Sequence, residues 1–178
     1  MKDLERLTVG QVLEKAAKES PDKTAIVDGD KRITYAELNA MADALAVVLA
    51  EIGFKKGDRI AIYMKNSLEF VSAFYALQKL GVIAVWINAL YRQHEAEFIL
   101  QNSAARGVII FNQWDGYDYL ADILKIKSRL PQLEHIIVAG NDKIDGAISF
   151  TRLIDNGRGK FVPLTDVATI KKIRSGAQ

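Results

Sequence analysis

The sequence predicts an α/β fold, a layered and mostly parallel sheet with helices on both faces. From Asp58 onward, short apolar runs alternate with longer amphipathic segments, which is typical of parallel strands connected by helices that cover the sheet. The length of 178 residues fits one domain with one sizeable core. Consecutive strand–helix–strand units of this kind are expected to wind right-handed.

The segment before Asp58 has a different pattern, with amphipathic helices around a short hairpin. Thr34 is followed three residues later by Glu37, the spacing at which a hydroxyl and a carboxylate satisfy the free amides at a helix start. The predicted elements are, in order, a helix from Val9 to Lys18 capped by Thr8, a strand from Thr24 to Asp28, a turn at Gly29-Asp30, a strand from Lys31 to Ile33, and a helix from Tyr35 to about Ile52 that stops at Gly53.

The alternating region is delimited by helix caps and breakers, such as Ser67 before one helix and Gly81 after it. Its second apolar run, Val82 to Ile87, is apolar throughout and predicts a strand buried on both faces. The last part of the chain predicts one helical turn at Ser149 to Ile154 and a loop at Asn156 to Lys160. The other predicted elements are strands at Arg59 to Met64, Gly107 to Phe111 and His135 to Ala139, and helices at Leu68 to Leu80, Arg92 to about Asn102 and Tyr117 to Arg129.

The composition excludes several classes of function. Lys and Arg number 24 against 22 Asp and Glu, which leaves a net charge of +2 and gives no support for nucleic-acid binding. Cysteine is absent, which suits a reducing compartment, and a cytoplasmic location is expected. The charged N-terminus does not resemble a secretory signal, and no apolar run approaches the roughly 20 residues that a membrane span needs.

The residues alone predict neither a metal site nor a catalytic site. His94 and His135 lie on different predicted elements with no cysteine or paired carboxylate at ligand spacing. His135 is expected to be a partly buried histidine at a strand start, and His94 a solvent-exposed one. Glu95 and Glu97 are two positions apart on a helix, so they face different sides and do not form an acid/base pair.

Two further segments have ordinary structural interpretations. Asp28 and Asp30 flank Gly29, where aspartate stabilises a tight turn through its own side chain. Gly157-Arg158-Gly159-Lys160 is rich in glycine and basic residues, but its spacing matches neither common phosphate-binding glycine motif. A surface loop is the expected structure of that segment.

Two short segments resemble signature segments of the adenylate-forming enzymes, the family of acyl-CoA synthetases, aryl-CoA ligases, luciferases and peptide-synthetase adenylation domains. The first is Ile33-Thr34-Tyr35-Ala36-Glu37-Leu38, and the second runs from Gln78 to Asn88. Weaker likenesses occur in the same order at Pro21 to Ala25, Gly57 to Ile62 and Asn66 to Phe70. The resemblance covers about residues 7 to 170, although Asn88-Ala89 stands where acyl-CoA synthetases usually have Asn-Pro.

The resemblance implies that residues 1–170 form the first portion of the large N-terminal domain of an acyl-CoA synthetase-like fold, with 171–178 a disordered or truncated tail. The family uses ATP, Mg²⁺ and coenzyme A, and positions the phosphates with a Thr-Ser-Gly-Thr-Thr-Gly-x-Pro-Lys loop. No such segment occurs in the 178 residues, and Ser175 and Gly176 are the positions onto which that loop could be partly carried. We therefore expect an N-terminal fragment of a carboxylate-activating ligase that is inactive alone and binds none of these cofactors tightly.

Two alternatives remain open on the sequence alone. The chain could be a stand-alone binding or regulatory module that uses the same fold without chemistry. It could also be a nucleotide-binding doubly wound domain unrelated to the ligases, which the missing glycine fingerprint disfavours. The expected partners are the remainder of a ligase, or a second copy through exposed apolar surface. The carboxylic acid substrate is undetermined between aliphatic, aryl and amino acids.

Overall fold

The computed structural model describes residues 7–140 and 145–158. No helix within these ranges is both long enough and apolar enough to cross a membrane. The helices are α1 (Val9–Glu19), α2 (Tyr35–Glu51), α3 (Leu68–Leu80), α4 (Gln93–Ser103), α5 (Tyr119–Ile126) and α6 (Phe150–Arg158). The strands are β1 (Thr24–Asp28), β2 (Lys31–Thr34), β3 (Arg59–Tyr63), β4 (Ile83–Ile87), β5 (Gly107–Phe111), β6 (Gln113–Trp114), β7 (Tyr117–Asp118), β8 (His135–Ala139) and β9 (Ile148–Ser149).

The main sheet is parallel, with its strands in the order β4-β3-β5-β8-β9. Successive residues of a strand point to opposite faces, and here both faces are covered by helices. Ile60 and Ile62 of β3 lie in a core formed with α2, α3 and α6. Their neighbours Ala61 and Tyr63 lie in a second core formed with α4 and α5. The predicted mostly parallel sheet with helices on both faces is therefore confirmed.

The N-terminal elements α1, β1 and β2 form a layer against α2 and α3. The hairpin of β1 and β2 is antiparallel, as predicted. Asp28, at the end of β1, has a role beyond the predicted turn, because its Oδ2 accepts a hydrogen bond of 3.0 Å from the main-chain N–H of Leu68. Ser67 caps the same helix start through Phe70 N at 3.1 Å. The hairpin is thereby fixed to the first turn of α3.

The prediction that Val82 to Ile87 is buried on both faces is wrong. The strand, β4, lies at the end of the sheet, and Ile83 and Trp86 are 47% and 61% exposed. A continuous apolar run cannot distinguish a central strand from an apolar edge strand, because strand order is set by tertiary packing.

The helix predicted from Tyr117 to Arg129 is also different in the structure. Tyr117 and Asp118 pair with Gln113 and Trp114 as the small hairpin β6–β7. The helix α5 begins at Tyr119 and gives way to a 3₁₀ turn at Lys127–Arg129. Asp118 then caps α5 by accepting from Ala121 N at 2.8 Å.

The predicted loop at Asn156 to Lys160 is wrong for the residues that the structure describes. Asn156 to Arg158 continue α6, which starts at Phe150, and Ser149 belongs to β9. Gly157 is buried where α6 crosses α2, and a Cβ added to it would lie 2.2 Å from the carbonyl oxygen of Ala44. The glycine therefore permits the two helix backbones to approach each other. Residues 159 and 160 lie outside the described ranges.

Candidate functional site

An open groove of about 650 Å³ lies beyond the carboxyl ends of β3 and β4. In α/β sheets the crevice outside the carboxyl ends of the strands is the usual place for a ligand. We call it the Trp86 groove, and it is lined by Met64, Lys65, Asn66, Phe70, Trp86, Ile87, Asn88, Ala89 and Tyr91. Because Lys65 and Asn66 follow β3 and Asn88 follows β4, the parallel pairing of the strands brings these polar side chains to one edge.

One wall of the Trp86 groove is the loop between β4 and α4, which two buried tyrosines hold from below. The Tyr63 hydroxyl donates to the carbonyl oxygen of Tyr91 at 2.5 Å, and the Tyr119 hydroxyl donates to that of Ala89 at 2.8 Å. The two rings pack edge to face at 4.9 Å. Burial is the main factor that raises the pKa of Tyr63, so its hydroxyl remains a neutral donor at physiological pH.

Arg92 fixes the same loop from its outer end. Its Nη1 donates to the carbonyl oxygens of Leu90 and Tyr91 at 3.0 and 3.1 Å. The guanidinium lies 4.2 Å from the ring centre of Tyr117, a distance at which a cation is attracted to an aromatic face. Burial raises the pKa of Tyr117 to about 12. The guanidinium is therefore engaged with the loop carbonyls and this ring.

The groove has the chemistry of a binding surface. Trp86 and Phe70 meet edge to face at 5.8 Å on one side, and Lys65 with the amides of Asn66 and Asn88 supplies polar groups. Asn88 Oδ1 already accepts from Leu90 N at 2.9 Å. Among the described lining residues there is no carboxylate, imidazole or serine hydroxyl, so the groove offers no acid, base or nucleophile of those types.

The residues of the first signature segment stabilise a helix start. Thr34 N donates to Glu37 Oε2 at 2.8 Å, and Glu37 N donates to Thr34 Oγ1 at 3.2 Å. This reciprocal cap confirms the predicted start of α2. The hydrogen bond from the Thr34 main chain is the largest cause that lowers the pKa of Glu37.

The second signature segment supplies a buried cation. The Lys79 ammonium lies 2.6 Å from Asp43 and 3.0 Å from Glu14, and it donates to Asn39 Oδ1 at 3.0 Å. Burial raises the pKa of Asp43, against the lowering effect of Lys79. Since Glu14 belongs to α1, Asp43 to α2 and Lys79 to α3, this cluster joins three helices. Gly81 ends α3 in the left-handed conformation at φ 73°, which glycine adopts without strain.

Asp58, from the segment Gly57 to Ile62, connects the amino ends of the strands. Its Oδ2 accepts from Lys55 N at 2.8 Å and from Arg106 Nη1 at 2.5 Å. Arg106 also bonds Glu134 at 2.5 Å. This cluster lies at the opposite end of the sheet from the Trp86 groove. Asp58 thus stabilises the fold, as do the helix cap of the first signature segment and the buried cation of the second.

The remaining candidate residues are separate from one another. His94 is exposed, and His135 packs edge to face on Phe54 at 5.1 Å. Glu95 accepts from Arg92 N, whereas Glu97 forms an ion pair with Arg129. Over the residues that the structure describes, no group of three or more metal-ligating side chains occurs. Ser175 and Gly176, the predicted phosphate-loop positions, lie outside the described residues.

Sequence reasoning missed the Trp86 groove. The available signal was the position of Lys65-Asn66 and of Asn88 directly after two apolar strands. Carboxyl ends of parallel strands that are neighbours in a sheet lie at the same edge, so these residues could have been placed together once the strands were predicted to pair.

Comparison with known proteins gives one consistent family. The family described as AMP-binding enzyme matches residues 13–170. The 2,3-dihydroxybenzoate-AMP ligase of Bacillus subtilis is 32% identical over 133 residues, which is 75% of this chain and 25% of that enzyme. The first curated relatives are covered over only 20 to 29% of their length.

Solved structures agree with the sequence relatives. An anthranilate CoA ligase, AuaEII, in complex with anthranoyl-AMP has a TM-score of 0.77 at 31% identity, over 84% of this chain and 28% of that one. The inhibitor-bound N-terminal domain of FACL13 from Mycobacterium tuberculosis has a TM-score of 0.72 at 33% identity, over 83% of this chain and 35% of that one. Together with the family match, these similarities show that the chain belongs to the AMP-binding, adenylate-forming enzymes and corresponds to their N-terminal portion.

Proposed function

We propose that this chain is the N-terminal part of an ATP-dependent ligase of the acyl-CoA synthetase type. Such an enzyme joins a carboxylate to the α-phosphate of ATP, which releases pyrophosphate and forms an acyl-adenylate. The thiol of coenzyme A then attacks the acyl carbon, so that AMP leaves and a thioester forms. The presence of anthranoyl-AMP in a solved relative supports this class of intermediate.

The observation that carries the proposal is the structural role of the signature residues. Thr34 and Glu37 form the cap at the start of α2, and Lys79 forms a buried ion pair with Asp43. Asp58, from the weaker likeness at Gly57 to Ile62, forms an ion pair with Arg106. In this portion of the enzyme they act by stabilising the scaffold on which later segments assemble. Because these residues stabilise the fold, the family resemblance that they carry is compatible with a reaction centre in another part of the ligase.

The lining of the Trp86 groove does not fit ATP with Mg²⁺. Phosphoryl chemistry needs several main-chain N–H groups, a lysine and metal-held oxygens arranged around the phosphates. The Trp86 groove offers Lys65 and two side-chain amides, but its lining has no carboxylate for the metal. We therefore assign no step of the reaction to this groove and expect the polypeptide alone to make no acyl-adenylate.

That expectation is tested by measuring acyl-AMP formation by the 178-residue chain. The chain is mixed with ATP, Mg²⁺ and a panel of aliphatic, aryl and amino acids, and the nucleotide products are separated. A complete acyl-CoA synthetase serves as the positive control, and a mixture without protein sets the background. We expect the chain to give the background value with every acid. Acyl-AMP above that value with any acid would refute the proposal that the polypeptide alone makes no acyl-adenylate.

The proposed setting is the cytoplasm, where the absence of cysteine has no structural cost because disulfides are not needed there. The proposed partners are the remainder of the ligase, which would bring the carboxylic acid site, or a second copy of this chain. Exposed apolar side chains, among them Trp86, Leu90 and Phe98, support association of either kind.

A further inference from the structure

Arg92 occupies a position where the local rules of helix formation disfavour arginine. It is the N-cap residue of α4, with an extended backbone at φ −119° and ψ −172°. The residues favoured at an N-cap have a side-chain oxygen that accepts from the free N–H groups of the first turn, whereas an arginine side chain can only donate. A cation also lies unfavourably at the positive end of the helix dipole. The reason for an arginine at this position therefore lies outside α4.

The Arg92 guanidinium lies against the loop that precedes α4. Its Nη1 is 3.0 and 3.1 Å from the carbonyl oxygens of Leu90 and Tyr91, and 3.4 Å from that of Ala89. Its Cζ lies 4.2 Å from the ring centre of Tyr117. We call these four groups, the three consecutive carbonyl oxygens and the ring, the Arg92 cage. Carbonyl oxygens and the face of an aromatic ring both attract a cation, so the cage is complementary to a positive charge.

The Arg92 cage is held in place by groups other than Arg92. The buried hydroxyls of Tyr63 and Tyr119 already donate to two of its carbonyl oxygens. The Tyr117 ring packs edge to face against Tyr119 at 4.8 Å, and its hydroxyl donates to Asp122 Oδ2. Both sides of the cage are thus fixed independently of the guanidinium, as in a preorganised binding site.

The Arg92 cage suits a guanidinium better than an ammonium ion. A guanidinium is planar and weakly hydrated, stacks on aromatic rings and carries several N–H donors, so it can contact the ring and the carbonyl oxygens together. An ammonium ion is a compact and strongly hydrated point charge. Arg92→Lys would therefore keep the charge but lose part of the contact.

We propose that the Arg92 cage is a guanidinium site that the side chain of Arg92 fills as an internal ligand, which makes Arg92 a positioning residue for the Trp86 groove. Three residues of the loop, Asn88, Ala89 and Tyr91, line that groove. The guanidinium holds the main chain of this loop, and so it fixes where the Asn88 amide and the Tyr91 ring stand in the groove wall. The proposal goes beyond the proposed ligase function and does not depend on it.

Arg92→Ser separates this role from helix capping, because the two roles predict opposite changes. Serine supplies the missing N-cap oxygen, so the first turn of α4 should be at least as stable as in the wild-type protein. The loop, by contrast, loses its cation. Hydrogen exchange of the Leu90 and Tyr91 amides, which donate to Asn88 at 2.9 and 3.0 Å, should accelerate by roughly 5- to 30-fold when followed by NMR. The amides of α4 should not accelerate.

Added guanidinium should reverse the change. A concentration of about 50 mM guanidinium chloride is far below the molar range that unfolds small domains, and in Arg92→Ser it should slow exchange of the loop amides toward the wild-type rate. Urea, a neutral molecule of similar shape, and sodium chloride at the same concentration should not. The NMR signals of the Asn88 side-chain amide and the Trp86 indole N–H report on the groove itself, and they should shift in Arg92→Ser and return with guanidinium.

Arg129→Ser is the matched control for the loss of an arginine. Arg129 lies in the 3₁₀ turn after α5 and pairs with Glu97, so its loss should leave exchange in the loop unchanged. The proposal is overturned if the loop amides of Arg92→Ser exchange as slowly as in the wild-type protein, or if guanidinium restores them no better than urea or sodium chloride. Wild-type exchange in Arg92→Lys would show that charge alone suffices and would contradict a guanidinium site.

Discussion

Replacing Lys79 with methionine should lower the free energy of unfolding by about 3 to 5 kcal/mol. The Lys79 side chain is 2% exposed, and its ammonium lies 2.6 Å from Asp43, whose side chain is 4% exposed. Methionine fills a similar volume but leaves the carboxylate of Asp43 buried without its cation. The loss should appear in urea unfolding followed by circular dichroism. Lys15→Met is the matched control, because Lys15 pairs with Glu19 at the surface at 3.8 Å and should cost less than about 1 kcal/mol.

The loss in Lys79→Met should also depend on pH. Burial raises the pKa of Asp43 in the folded protein, and removal of Lys79 should raise it further. The folded variant then binds a proton that the unfolded chain has released above about pH 3.9, so its stability should fall as the pH rises. The difference from the wild-type protein should thus be smaller near pH 4 than near pH 7. An equal loss in Lys79→Met and Lys15→Met would contradict the role given to the buried cluster.

Gly157→Ala should destabilise the protein by roughly 1 to 3 kcal/mol or more, although alanine is the better helix former. The added Cβ would lie 2.2 Å from the carbonyl oxygen of Ala44 and 2.6 Å from its carbonyl carbon. Both are main-chain atoms, so α6 would have to move away from α2. That movement would loosen Phe150 and Leu153, which belong to the core beneath the helix.

The sign of the change in stability caused by Gly157→Ala distinguishes a tightly packed helix position from an exposed one. In an exposed helix interior the same substitution would stabilise by up to about 1 kcal/mol. Asn156→Ala is the control, since Asn156 is an exposed neighbour on the same helix and should change stability by no more than about 0.5 kcal/mol. The stability of the Gly157→Ala and Asn156→Ala variants is measured by thermal unfolding. A Gly157→Ala protein that is as stable as the wild type would show that α6 does not approach α2 as closely as the structure indicates.

Local capping made several elements predictable from the sequence. Thr34 with Glu37 gave the start of α2, and Ser67 with Gly81 gave both ends of α3. These features depend on residues within one helical turn of each end, so they do not require knowledge of the tertiary structure.

Some of the predictions were wrong because the structure at those residues depends on tertiary packing, and one was wrong although a local signal was present. Gly157 lowers helix propensity and therefore favours a loop on sequence grounds, but close packing of two helices requires it. The edge position of β4 follows from strand order, which its own residues do not encode. For the hairpin β6–β7 a signal was present: Asp115 and Gly116 have φ values of 52° and 73° and form an Asp-Gly turn that favours tight hairpins.

The candidate site was less predictable than the fold. Its polar residues, Lys65, Asn66 and Asn88, come from two strand ends that are about twenty residues apart in the sequence and meet only in the sheet. The family was predictable because the segments Ile33 to Leu38 and Gln78 to Asn88 resemble signature segments of the adenylate-forming enzymes. The structure shows that Thr34, Glu37 and Lys79 within them stabilise helices. The activity could be predicted only through that resemblance.

Reading the source gene in frame past the codon for Gln178 tests the central proposal most directly. We expect the reading frame to continue into a segment similar to Thr-Ser-Gly-Thr-Thr-Gly-x-Pro-Lys, followed by the rest of a carboxylate-activating ligase. A stop codon directly after Gln178, in the native transcript, would contradict the account and would favour a binding module that uses this fold without the chemistry.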